Sequence, residues 1–167
     1  SWNGSFSNPS TEVYRGEVGC LSGVPTSTAQ VYQTVDVNCS LDTTFMLSGW
    51  ARAASADIVT EGETRTDTRK DNRKFGMKAV ITYSDNTTED HYVSFNPDNI
   101  NWQYATLAIV PNPDNDSLTV KKITVYICYD YNANLMYFDD ICLTVEPAQT
   151  YEYDEETGKA KVLTDAE

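Results

Sequence analysis

The chain has 167 residues, enough for one globular domain with a sizeable core and a short appendage. Its 25 acids against 12 bases give a net charge of −13, which argues against nucleic acid as a partner, because that role needs a basic stripe. Hydrophobic residues make up 40%, which excludes a disordered chain, yet no apolar run approaches the roughly 18 residues that membrane insertion as a helix requires.

Eleven tyrosines and three tryptophans, with many Val, Ile and Thr, favour strands over helices. Residues 1–27 are rich in Ser, Gly, Asn and Pro, with apolar touches at Val13-Tyr14 and 18–21, and predict one or two irregular edge strands. Residues 28–37 alternate cleanly and predict a strand. In residues 44–53 the pattern sends Phe45, Leu47, Gly49, Ala51 and Ala53 to one face and Met46, Ser48, Trp50 and Arg52 to the other. Residues 54–74 read as a long polar loop, and its alternating basic and acidic residues 65–74 read as a solvated surface. Strands follow at 75–83 and 90–95 around a turn at 84–87, then at 102–110. The segment 111–117 breaks the pattern. Its Asp114-Asn115-Asp116 fits turn chemistry better than an EF-hand, whose Gly and terminal Glu are missing.

The most informative stretch is 121–145. Ile123, Val125, Ile127 and Tyr129 alternate with Thr124, Tyr126, Cys128 and Asp130, the signature of a half-buried strand. In the next run Ile141, Leu143 and Val145 share a face, and strict alternation puts Asp139 on that face and Asp140 on the other. A core-facing aspartate must be protonated, hydrogen-bonded or neutralised by a cation. After Pro147 the character changes, and 150–154 with 159–165 predict a separate hairpin. The expected architecture is therefore all-β, a jelly-roll β-sandwich of about eight antiparallel strands over 1–147, followed by a short hairpin unit at 148–167.

Cys20, Cys39, Cys128 and Cys142 lack C-x-x-C spacing, so a zinc ribbon or redox motif is unsupported, and most of them are expected to be unpaired. His91 is the only histidine and has no nucleophile motif near it. No phosphate loop or H-E-x-x-H occurs, and an enzyme is not expected. Flat aromatic faces with nearby polar groups are the side chains best suited to contact a ligand. On that ground Trp50, Arg52, Tyr126, Trp102 and Tyr104 are the candidate ligand-binding residues. Against this, Trp50 and Trp102 are also the large apolar residues that a sandwich of this size buries.

The ordered motifs Val31-Tyr32-Gln33-Thr34-Val35, Met46-Leu47-Ser48-Gly49-Trp50-Ala51-Arg52-Ala53, Ser94-Phe95-Asn96-Pro97-Asp98, Trp102-Gln103-Tyr104 and Tyr137-Phe138-Asp139-Asp140-Ile141 carry a family resemblance. They are similar to the jelly-roll carbohydrate-binding-module-like domains of bacterial RHS, or YD-repeat, surface proteins. The tail Thr150-Tyr151-Glu152-Tyr153-Asp154 with Gly158 looks like the opening of a first YD repeat. The resemblance spans residues 28–165 and implies a non-catalytic module of a larger secreted or cell-surface bacterial chain, of Gram-positive type. Its partner would be a polysaccharide or host glycan. The alternative is a structural or adhesive spacer that packs against the repeat shell. The resemblance also implies structural calcium at Asp139, with Asp140 as the adjacent candidate and Glu12 or Glu17 as further ligands.

Overall fold

The structure, a computed structural model, describes residues 3–4, 19–54, 72–146, 150–154, 156–157 and 159–163. Among these residues every regular element is a strand: β1 (Asn3–Gly4), β2 (Gly19–Ser22), β3 (Gln30–Cys39), β4 (Thr44–Ala53), β5 (Gly76–Tyr83), β6 (Thr88–Ser94), β7 (Gln103–Ile109), β8 (Val120–Cys128), β9 (Leu135–Glu146), β10 (Thr150–Asp154) and β11 (Lys159–Leu163). No helix in the described residues is long and apolar enough to cross a membrane.

Two antiparallel sheets form the sandwich, one in the order β1-β3-β8-β5-β6 and the other in the order β2-β9-β4-β7. From β1 to β9 each strand lies in the sheet opposite its predecessor, except in the β5–β6 hairpin. That alternation between layers is the jelly-roll pattern expected above. The hairpin turn is set locally. Asp85 Oδ1 accepts the Thr87 amide at 2.9 Å and the Thr87 hydroxyl at 2.6 Å, and Asn86 takes φ 68°. The pair β10–β11 forms its own two-stranded sheet.

The period-two pattern of β4 appears directly as alternating half-buried and buried residues. Phe45, Leu47 and Ala51 meet Met77, Ala79 and Ile81 of β5 and Ile123, Val125 and Ile127 of β8 in one apolar layer. None of the four cysteines is disulfide-bonded. The Asp114 region is a turn, with Asn115 Oδ1 accepting the Ser117 amide at 3.0 Å.

Two sequence expectations change. The strand predicted to run to residue 131 ends at Cys128, where Tyr129 enters the core and Tyr131 takes φ 56°. More consequentially, strict alternation fails in β9. Ser48 pairs with Cys142 but Trp50 pairs with Asp139, so Gly49 alone opposes Asp140 and Ile141. This is a β-bulge, with Asp140 at φ 49° and its amide donating to Asp139 Oδ1 at 2.8 Å. The extra residue inverts the facing. Met136 and Phe138 point inward before it, Ile141 and Leu143 after it, and Asp139 lies on the outer face beside Trp50. Opposite the bulge stands Gly49, where a Cβ would meet the tip of the Ile141 side chain and require it to shift. Of the expected elements, Val13-Tyr14 and loop residues 55–71 lie outside the described residues.

Candidate functional site

The five predicted ligand-binding residues divide between two outer faces. On the four-stranded sheet Trp50 pairs across strands with Tyr104 on one side and Asp139 on the other, and Arg52 pairs with Tyr137. The Trp50 and Tyr104 ring centroids are 5.2 Å apart at 42°, and the Arg52 guanidinium lies 5.6 Å from the Tyr137 ring centre. Trp102 is half-buried immediately before β7. Tyr126 lies on the opposite side of the molecule, on the outer face of the five-stranded sheet.

There Tyr126 is part of a longer arrangement. The registers place Tyr32, Tyr126, Lys78 and Tyr92 in one row across β3, β8, β5 and β6. Three inter-strand spacings of about 4.8 Å give the row a length of about 14 Å. Tyr32 and Tyr126 rings are 5.4 Å apart at 35°, and Lys78 Nζ lies 4.4 Å from the Tyr126 ring centre. At the far end Lys74 Nζ lies 5.5 Å from the Tyr92 ring centre. The rings at both ends are open to solvent, Tyr32 by 40% and Tyr92 by 38%.

Polar rows flank these rings. On one side Thr34, Thr124, Val80 and Asp90 follow in register, and the two threonine hydroxyls are 3.0 Å apart. On the other side Gln30, Cys128, Gly76 and Ser94 line up. Gly76 is required by the close approach of its neighbours, since a Cβ there would stand 2.3 Å from the Val93 carbonyl oxygen and 2.6 Å from the Tyr92 hydroxyl. Although the Tyr92 ring is exposed, its hydroxyl end is covered, and burial pushes the phenol up to about 12. Burial does the same to the Cys128 thiol, with the Asp130 charge adding to it, and brings it to about 12. Both groups therefore stay protonated at neutral pH.

Asp130, only 3% exposed, lies two residues beyond Cys128 on the flank of the row. One carboxylate oxygen accepts the Ala29 amide at 3.0 Å, and the other accepts Gln30 Nε2 at 2.8 Å. The Asp130 carbonyl accepts the Lys74 amide at 3.1 Å, and Asn132 Nδ2 bridges the carbonyls of Lys74 and Asp130. Gln30 is thus tied to the buried Asp130 carboxylate, and Lys74 to the Asp130 backbone carbonyl.

Sequence reasoning identified Tyr126 but missed Lys78, Tyr92, Gln30 and Asp130. The alternation of each strand already put 32, 78, 92 and 126 on solvent faces, but only the strand order aligns them. The proposed metal ligands fare differently. Asp139 and Asp140 are adjacent on the bulge, Asp140 is exposed, and no group of three or more His, Cys, Asp or Glu suited to a metal occurs among the described residues. Calcium takes about six to eight oxygens, so these two carboxylates do not fit it on their own. Glu12 and Glu17 lie outside the described residues. His91 Nε2 is 2.6 Å from Glu89 Oε2, and Glu89 Oε1 accepts the Asn112 amide.

No protein-family profile matches the sequence, and no curated protein does. Similarity appears in solved structures. A CBM4 structure is 17% identical over 86% of this chain and 77% of its own, with a TM-score of 0.50. A Stig cyclase, Fisc from Fischerella sp. TAU, is 14% identical over 87% of this chain and 71% of its own, with a TM-score of 0.52. The enzymatically active domain of bacteriophage CBA120 tailspike protein 4 is 13% identical over 87% of this chain but only 19% of its own, with a TM-score of 0.54. These likenesses establish the jelly-roll sandwich, and their differing names show that the fold alone does not fix the function.

Proposed function

We propose that the chain is a non-catalytic carbohydrate-binding module that grips a polysaccharide or glycan along the row Tyr32–Tyr126–Lys78–Tyr92. The observation that carries this reading is the row itself: three tyrosines in register across four neighbouring strands, flanked by hydroxyl, amide and carboxylate groups. Ring faces stack on the apolar faces of sugars, and the flanking polar groups are placed for their hydroxyls. A length of about 14 Å suits an oligosaccharide rather than a single ring. The CBM4 likeness supports the reading at the level of fold. The module would attach a larger bacterial secreted or surface protein to its glycan, with β10–β11 as the start of a YD repeat.

The face with Trp50, Tyr104, Arg52 and Tyr137 favours a second role, that of a surface packed against the rest of a larger chain. Its aromatic row covers only two strands before Asp139 interrupts it. A glycan array, followed by affinity electrophoresis of the hits, separates the two. Tyr126→Ala is expected to abolish retention and Trp50→Ala to preserve it, with both variants folded by circular dichroism. Retention lost with Trp50→Ala and kept with Tyr126→Ala would move the site to the other face. A blank array would favour the spacer.

A further inference from the structure

Among the described residues, the ammonium groups of Lys78 and Lys74 have no carboxylate within ion-pair distance. In a chain of net charge −13 these two cations rest on the rings of Tyr126 and Tyr92. Lys78 occupies the middle of the row, between two tyrosines, and Lys74 stands over its end. Two nearby carboxylates bear on the local charge. Asp130 is buried and turned to the Ala29 amide and the Gln30 side chain. Asp90 sits one row away, in register with Val80. Among the described residues the row therefore presents two positive groups against one exposed negative group, on a molecule that is otherwise strongly acidic. A neutral sugar can use the Lys78 ammonium only as a hydrogen-bond donor to its hydroxyls. A sugar carrying an anionic substituent on its ring edge stacks on tyrosine and meets an ammonium at once.

We infer that the glycan recognised along this row is acidic, a polysaccharide whose rings bear carboxylate or sulfate groups. The inference rests on the glycan-binding reading above and adds the charge class of the ligand. The distant acids of the protein do not forbid it, because the Debye length of about 8 Å at physiological salt screens them while the contacts at Lys78 and Lys74 remain short. Screening also gives the interaction a recognisable signature, since a contact between ammonium and anion weakens in high salt and stacking does not.

The test compares each acidic polysaccharide with its own neutral form. Polygalacturonate, alginate and glucuronoxylan are measured beside their carboxyl-reduced products, and chondroitin sulfate beside its desulfated product, by affinity electrophoresis and calorimetry. For at least one pair the acidic form is expected to bind ten-fold or more tighter, equivalent to about 1.4 kcal/mol. Lys74→Gln with Lys78→Gln should erase most of that difference, so that the acidic and neutral forms of a polysaccharide bind the variant alike, with the fold retained by circular dichroism. Preference within a carboxylate pair identifies a uronate ligand, and preference within the chondroitin pair a sulfate ester. Equal affinity for charged and neutral forms, or a preference unchanged in the double variant, overturns the inference and leaves glycan binding standing. Failure of every polysaccharide, charged or neutral, overturns both.

Discussion

Replacing Asp130 tests whether one buried carboxylate organises the flank of the tyrosine row. In Asp130→Ala the Ala29 amide and the Gln30 side-chain amide both lose their acceptor. The site is 3% exposed, so water replaces that acceptor poorly. An orphaned buried donor costs about 1–3 kcal/mol. Gln30 is half-buried and turns its amide to solvent, so its share falls near the low end, and the pair together costs about 3 kcal/mol. Asp130→Asn differs in kind. Its carbonyl oxygen still accepts the Ala29 amide, and Gln30 restores the second bond by flipping its own amide to present oxygen, so about 1 kcal/mol is lost with the charge. For a domain of this size 1 kcal/mol shifts the melting temperature by about 2–4 °C, which places the alanine variant about 6–12 °C below wild type and the asparagine variant about 2–4 °C below. Urea unfolding followed by tryptophan fluorescence at pH 7 measures both, with an unchanged m-value as the sign that only stability moved. If Asp130→Ala lies within about 0.5 kcal/mol of wild type, the carboxylate does not hold this flank together, and if Asp130→Asn is as damaging as alanine, the two hydrogen bonds are not what it supplies.

Alkaline pH should destabilise the fold. The Cys128 thiol rises from 9.0 to about 12, and the Tyr83 and Tyr92 phenols rise from 10.0 to about 12, so the unfolded chain loses these protons first. Their stabilisation is complete below pH 9 and is lost as pH climbs towards 12; urea midpoints at pH 8 and 10.5 check this, and Cys128→Ala should flatten the part that begins near 9. Gly76→Ala should lower stability by about 2 kcal/mol and abolish glycan retention, because the obstacle is a Val93 backbone oxygen that cannot move without shifting β6 and Tyr92. Unchanged retention in that variant would mean that Tyr92 is dispensable. Asp140→Gly relieves a left-handed aspartate at φ 49° while keeping the bond from its amide to Asp139, and thermal melts should show it neutral to about 1 kcal/mol more stable.

Much of the sandwich is readable from the chain because period two is a local property. β4 matches its expected bounds and its alternating burial, and Trp50 and Arg52 fall on the outer face as their parity requires. The facing of Asp139 was not readable, because a bulge inserts one residue and every parity beyond it inverts. Its trace in the sequence is Gly49, which lies on the partner strand rather than on β9 itself. Tyr126 was legible as a solvent-facing aromatic, but its company was not. Tyr32, Lys78 and Tyr92 come from three other strands, and their alignment depends on which strands pair and in what register. The calcium expectation came from the resemblance, and what the bulge removes is only the core-facing position that strict alternation gave Asp139.

The same parity rule explains why this fold offers two outer faces and why they differ. Inner positions of both sheets are taken by one apolar layer, so any aromatic residue beyond the core's needs must appear on an outer face. On the four-stranded sheet the bulge sets Asp139 beside Trp50 and ends the aromatic row after two strands. On the five-stranded sheet the registers run unbroken through the tyrosine row, and the shifts in β3–β8 and β5–β8 fall beyond it, past Asp36 and Thr82. Continuity of register therefore decides which face can follow a chain of sugars. A bulge engineered between Tyr126 and Lys78 would break binding without removing a single ring.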